Sequence, residues 1–123
     1  MKIIAGIGII IGLGWWFWGR TLEPARVVHA QLEAIGKHDY EAAYSFLSEN
    51  AKSRLTPEQF TDLVRSNRIV NNNYTSDFLD RRMENNVATF SGTVRALGKE
   101  KTPAVFTVVK QGDRWVIEEF HFN

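Results

Sequence analysis

The chain has 123 residues, with 15 Lys or Arg against 14 Asp or Glu and a formal net charge of +1 at pH 7. A chain of this size holds one small domain with one modest core, and its balanced charge lacks the one-signed surface that nucleic acid binding needs, so no nucleic acid partner is expected. The absence of cysteine excludes disulfides, thiolate metal sites, a cysteine nucleophile and a lipid-modified cysteine.

Residues 1–20 stand apart from the rest. From Ile3 to Gly19 the chain is uncharged and almost wholly apolar, bounded by Lys2 and Arg20. As a helix this run would rise about 25 Å, the short end of what crosses a bilayer. A cleaved secretory signal would end in small residues. Here Trp15, Trp16, Phe17 and Trp18 occupy that place, followed by Gly19 and Arg20. Bulky indoles suit a membrane–water interface rather than a peptidase site, so a retained single-span anchor is expected, with Trp15, Trp16, Trp18 and Arg20 at the interface. A short charged N-terminus before a first apolar segment stays inside, which puts the remaining chain outside the cytoplasm. Gly8 and Gly12 form a Gly-x-x-x-Gly pair that Ala5 extends, a stripe on which another helix could pack closely. The plainer alternative is that glycines are simply frequent in membrane helices.

Three helices are expected next. Pro24 suits a first helical turn, Val28, Leu32 and Ile35 recur at helical spacing with Val27, Gln31 and Ala34 alongside, and Gly36 is a natural stop. Asp39 is placed to cap a short second helix whose apolar side is Tyr40, Ala43, Tyr44 and Leu47. Thr56-Pro57-Glu58-Gln59 is a capping box with proline at N1, and Phe60, Leu63 and Val64 carry the buried stripe of the third.

Asn71-Asn72-Asn73 closes the helical part, and four strands follow. The first runs from about Tyr74 to Met83 and turns at Glu84-Asn85-Asn86. The second is Val87 to Val94, the third Ala104 to Val109 after a polar loop from Gly98 to Pro103, and the fourth Trp115 to Phe122 after the turn Gln111-Gly112-Asp113-Arg114. In the fourth, Trp115 and Ile117 share one parity and Phe120 and Phe122 the other, so a bulge near Glu118-Glu119 is needed to bring all four onto the core face. The fold class is therefore α+β: an N-terminal transmembrane helix, then three helices on one face of a bent four-stranded antiparallel sheet.

This order, with the close Trp115-x-Ile117-x-x-Phe120 and the segment Val27-Val-His-Ala-Gln-Leu-Glu-Ala-Ile-Gly-Lys-His-Asp-Tyr-Glu-Ala-Ala-Tyr44, resembles the nuclear transport factor 2-like superfamily of cone-shaped domains, and its small bacterial members of unknown function. The resemblance covers residues 24–122, which divides the chain into an anchor, 1–20, and a cone domain, 21–123. Many such members follow a membrane anchor. The superfamily includes isomerases, dehydratases and hydrolases alongside domains that only bind, so the fold does not supply the function. Its proton-moving enzymes keep an acid or a histidine deep in the cone, and its ketosteroid isomerase branch uses a tyrosine to stabilise an oxyanion.

Five residues are the candidates for a pocket: His29, Tyr40, Tyr44, Asp77 and Asp80. Each has a plainer alternative. His29 suits a polar helix edge, paired with Glu33, better than a general base. Tyr40 and Tyr44 lie four apart on one helix face and could send hydroxyls into a cavity, or pack their rings and leave the oxygens at the surface. Asp77 and Asp80 have opposite parity, so one at most points inward, where it would need Arg81, Arg82 or Arg95 as partner. His38 reads as solvated and His121 as facing away from the core. Three histidines without ligand spacing make a metal site unexpected, and no cofactor loop is present.

The leading expectation is a non-enzymatic accessory protein at the bacterial cytoplasmic membrane, single-pass, its domain on the periplasmic or extracytoplasmic side. Its partners would be the lipid bilayer and another membrane protein, with a homodimer through the sheet face as a further form. The alternatives are a small-ligand or isomerase- or dehydratase-type pocket protein, and a spacer.

Overall fold

A computed structural model describes residues 23–98 and 100–122; the anchor residues Ala5, Gly8, Gly12, Trp15, Trp16, Trp18 and Arg20 lie outside the described part. Helix α1 spans Pro24–Gly36, α2 Tyr40–Ser45, α3 Glu49–Arg54, α4 Pro57–Arg65 and α5 Arg68–Asn71. Strands β1 Asn73–Glu84, β2 Val87–Ala96, β3 Lys101–Gln111 and β4 Arg114–Phe122 follow, paired antiparallel in the order β1-β2-β3-β4. Among the described residues the architecture is α+β, with five helices where three were expected. The two additional helices are short. Each is started by a side chain that accepts a backbone N–H, Ser48 from Ala51 and Asn67 from Val70, and such caps sustain single turns too brief to show a hydrophobic period.

Local chemistry accounts for the longer helices. Pro24 opens α1, which buries Val27, Val28, Gln31, Leu32 and Ile35. The Asp39 carboxylate accepts from the Ala42 N–H, and the Thr56–Gln59 capping box is formed in both directions. Gly36 has a different role from the one expected. The left-handed residue that turns the chain after α1 is His38, with φ of 62°. Gly36 is small because a Cβ there would stand 2.8 Å from the Asn73 carbonyl oxygen. Close by, the Asn73 amide donates to the Leu32 carbonyl at 2.7 Å and the Val70 carbonyl at 2.8 Å, satisfying the ends of two helices at once.

Of three register irregularities in the sheet, one lies at the start of β1, between Asn73 and Thr75, and the other two lie within the strands. In β4, Thr107 faces Glu119 but Val108 faces Ile117, which leaves Glu118 as the extra residue of a bulge. Ile117 is buried, and Trp115, Phe120 and Phe122 pack against the same core. In β1 the register slips between Asp77 and Asp80, opposite Gly92 of β2. A Cβ on Gly92 would collide with the Asp77 carbonyl oxygen and reach within 2.7 Å of the Phe78 Cα, so only glycine lets β1 fold over at that point. Pro103 belongs to β3 rather than to the loop. There it pairs with Thr93 of β2.

The free edge of β4 is also covered. Leu47 bridges Ile117 in parallel, with Ser48 N–H donating to the Ile117 carbonyl and Ile117 N–H to the Phe46 carbonyl, both at 2.9 Å. That blocks part of an edge that could otherwise recruit another strand.

Candidate functional site

The interior of the cone lies between α1, α4 and the inner sheet face, and aromatic side chains fill it. Phe60 of α4 meets Tyr44 and Phe120 edge-on at 5.7 and 5.8 Å between ring centroids, and Phe106 of β3 meets Phe78 and Phe122 at 5.7 Å each. These are favoured aromatic geometries within close packing. The buried polar side chains among the described residues are Gln31, Ser48 and Thr102. Gln31 donates from Nε2 to the Ala43 carbonyl at 3.1 Å, while its Oε1 has no protein partner. Its place within the apolar stripe of α1 was legible, but not that its amide would tie α1 to α2.

The structure spreads the five candidates over two surface regions. His29 is exposed on α1, with Nδ1 3.2 Å from the Ser76 hydroxyl and its ring edge-on to Phe78 at 5.8 Å. Partial burial, then the nearby Arg81 guanidinium, hold its pKa below the ordinary histidine value. Its expected partner Glu33 pairs instead with Lys37 at 3.3 Å, one helical turn on. Tyr40 donates to the Asn71 side-chain oxygen at 2.6 Å, and Tyr44 to the Leu55 carbonyl at 2.6 Å. Both hydroxyls thus hold other segments in place. Asp77 and Asp80 are both exposed, because the slip in β1 upsets the alternation that would have turned one inward. Arg81, offered as their partner, turns to the Phe78 carbonyl at 3.1 Å and lies over the Phe90 ring. His38 binds the Asn71 carbonyl oxygen at 3.1 Å through Nε2 and stacks on Tyr40. His121 sits on the outer face opposite Val105. Among the described residues no cluster of His, Asp or Glu is placed to hold a metal ion.

What the surface offers is an open groove of about 640 Å³ at the end of the sheet where β4 finishes. Leu63, Ile69, Phe120 and Phe122 supply its apolar lining, and Ser66, Asn67, Thr102 and His121 its polar one. Leu63 was expected in the core with Phe60 and Val64. It is 46% exposed here and lines the groove with Phe120 and Phe122 instead. At the rim Arg68 grips Glu100 through two hydrogen bonds of 2.7 and 2.5 Å, which lower the Glu100 pKa and raise that of Arg68. A second carboxylate binds more deeply. Glu118, on the bulge, accepts from Ser48 at 2.6 Å and Asn50 at 2.5 Å, with Arg54 at 3.6 Å, and the Ser48 and Asn50 hydrogen bonds lower its pKa first. The change of parity between Ile117 and Phe120 points to a bulge at 118–119 in sequence, but nothing local marks that the start of α3 would bind it.

The comparisons agree with this geometry. A family model described as a domain of unknown function, DUF4864, matches residues 21–121. Among solved structures, the chain is similar to an NTF-2 like protein of unknown function from Shewanella oneidensis MR-1, with TM-score 0.59 and 18% identity over 80% of this chain and 93% of that one. It is also similar to an NTF2-like protein of unknown function from Cytophaga hutchinsonii ATCC 33406, with TM-score 0.50 and 11% identity over 85% of this chain and 93% of that one. At such identities the likeness is one of fold. No curated protein sequence matches. With the filled cone, the bent antiparallel sheet and these matches together, the chain belongs to the DUF4864 family and has the nuclear transport factor 2-like fold.

Proposed function

We propose that this protein is a membrane-anchored, non-enzymatic accessory protein that works by contact at the outer face of a bacterial cytoplasmic membrane. The observation that carries the reading is the packed interior. Phe60, Phe78, Phe106, Phe120 and Phe122 occupy the volume where a pocket would lie, and both tyrosine hydroxyls are committed to neighbouring segments. Recognition therefore falls to the surface, and the groove beside Leu63 and Phe122 offers a concavity of mixed polarity. The anchor itself is read from residues 3–19; among the described residues no helix is long and apolar enough to cross a membrane. The Ala5, Gly8 and Gly12 stripe would meet a partner helix in the bilayer, and the groove would meet the same partner outside it.

The experiment is quantitative purification of the full chain from membranes in mild detergent, beside Gly8→Leu/Gly12→Leu and Leu63→Glu variants. A membrane protein that co-purifies in fixed ratio with the wild type, and is lost with either variant, supports the reading. Recovery of this chain alone sinks it. The second reading, a small-ligand or isomerase-type pocket, draws on the groove volume, which lies in the range of ligand sites. It predicts that an apolar ligand raises the melting temperature of the wild type but not of Leu63→Glu.

A further inference from the structure

We infer that the chain self-associates through the free edge of β1, two copies pairing antiparallel about an axis at Arg81. The two edges of the sheet differ. The edge of β4 is bridged by Leu47. β1 lies at the other end of the order β1-β2-β3-β4, and among the described residues no strand or loop is bonded to the outer side of 80–84. Every residue from Leu79 to Glu84 is exposed. An open edge of this kind is a template for another strand. Toward Asn73 the ladder is interrupted between Asp77 and Asp80, so the regular stretch is the half nearer the hairpin turn.

Hairpin geometry determines which backbone groups this edge offers. Glu84 and Val87 flank the two-residue turn Asn85-Asn86 and exchange their hydrogen bonds with each other. Bonded and non-bonded pairs alternate along an antiparallel ladder, so Arg82–Thr89 and Asp80–Ser91 are bonded too. The N–H and C=O of Arg81 and Met83 therefore point outward. A second β1 that meets them centres on 81 or 83 in a bonded pair, or on 80 or 82 in a non-bonded one.

Charge decides among these registers, because opposite charges across a ladder stabilise it and like charges oppose it. Centred on 80 or 82, Asp80 meets Asp80 or Arg82 meets Arg82. Centred on 83, the ladder runs into the turn after Glu84. Centred on 81, each Asp80 faces Arg82 of the other copy, so the pair forms on both sides of the axis. Met83, 61% exposed, then faces Leu79, 86% exposed. The salt bridges among the described residues are Glu33–Lys37, Arg54–Glu118 and Arg68–Glu100, which leaves Asp80 and Arg82 without one. The two Arg81 at the axis each stay within their own copy, Nε donating to the Phe78 carbonyl at 3.1 Å and the guanidinium lying over the Phe90 ring. Glu23, Pro24 and Ala25 share a hollow with Arg81, Met83, Ala88 and Phe90. The axis runs through the sheet from face to face, so both chains enter on the same side; this accommodates the anchor reading without resting on it. So short a ladder buries far less than a standard interface, and pairing is therefore weak and rises with concentration.

The test uses the full chain in mild detergent, where the lack of cysteine makes a single label clean. Glu84→Cys carries a nitroxide just beyond the paired residues, and double electron–electron resonance reads the distance between copies. With the axis at 81, the two labels stand about 20 Å apart at roughly 3.4 Å per residue. The expected result is a coupling at that distance whose amplitude grows with protein concentration. In the same labelled chain, Asp80→Lys alone or Arg82→Glu alone sets like charges together and should lower the amplitude several-fold. Mixing the two variants restores opposite charges on both sides of the axis and should recover it, as should Asp80→Lys/Arg82→Glu in one chain. Both positions are exposed, and circular dichroism checks that each variant keeps its fold. Absence of coupling at every concentration overturns the inference. So does a coupling at another distance, one that survives both single variants, or a mixture as weak as its parts.

Discussion

Along β2, Ala88, Phe90, Gly92, Val94 and Ala96 face the helices, while Val87, Thr89, Ser91, Thr93 and Arg95 face away. The same strand thus presents an aromatic and aliphatic inner face and an outer face of short β-branched and polar groups. β3 repeats the pattern with Thr102, Ala104, Phe106 and Val108 inside and Pro103, Val105, Thr107 and Val109 outside. The inner face owes its order to helices that cover it, and Phe60, Phe78, Phe106 and Phe120 pack ring against ring there. The outer face is partly to fully exposed along both strands. The difference teaches where stability and recognition reside: substitutions inside should cost stability, and those outside should cost only contacts with something else.

The largest effect is expected at Phe106, which is fully buried among Phe78, Phe120 and Phe122. Phe106→Ala should destabilise by about 3–5 kcal/mol, read as thermal unfolding of the full chain in micelles by near-ultraviolet circular dichroism. Gly92→Val should cost on the order of 3 kcal/mol, because the added methyls displace backbone rather than a mobile side chain; melting unchanged from wild type would mean β1 does not fold over Gly92. Glu118→Ala leaves the Ser48 hydroxyl and Asn50 amide without their acceptor and should cost about 1–3 kcal/mol.

A pH titration refines that third case. The Glu118 pKa is lowered in the folded chain, so its contribution is complete above the unfolded value near 4.5 and is lost as pH falls through the folded value. The His29 pKa is also lowered, so the unfolded chain takes up the proton first as pH drops below 6.5, and stability declines there too. Glu118→Gln should flatten the acid limb, and His29→Gln the limb just below 6.5. If both variants keep the wild-type slope, these two groups are not its source.

The smallest effect is expected on the outer face. Thr107→Ala should change stability by no more than about 0.5 kcal/mol in an isolated chain. A loss approaching that of Phe106→Ala, and growing with protein concentration, would show the outer face covered by a second copy and erase the contrast between the faces.

Much of this was legible residue by residue. The capping box at Thr56, the cap at Asp39, the four strands and the bulge at Glu118 each depend on neighbours within a few positions or on a parity count along one strand. Helical period puts Leu63 beside Phe60 and Val64, but it reports only which side of α4 is apolar and not what lies beneath each turn. Spacing pairs His29 with Glu33 one turn apart, yet Lys37 lies one turn beyond Glu33 and carries the opposite charge. Alternation assigns Asp77 and Asp80 to opposite faces and fails where β1 slips past Gly92.

Period, capping chemistry and turn residues are local, and they suffice for the kind and order of the longer elements, though not for the short helices Glu49–Arg54 and Arg68–Asn71, because each longer element must bury its own apolar stripe. The tyrosine hydroxyls, the Glu118 clamp and the end-on groove were settled by distant segments meeting, in the bonds from 44 to 55 and from 48 to 118 and in the groove that 63 and 122 both line. Those meetings depend on how far the sheet bends and where each helix overhangs it, and packing between distant segments sets both.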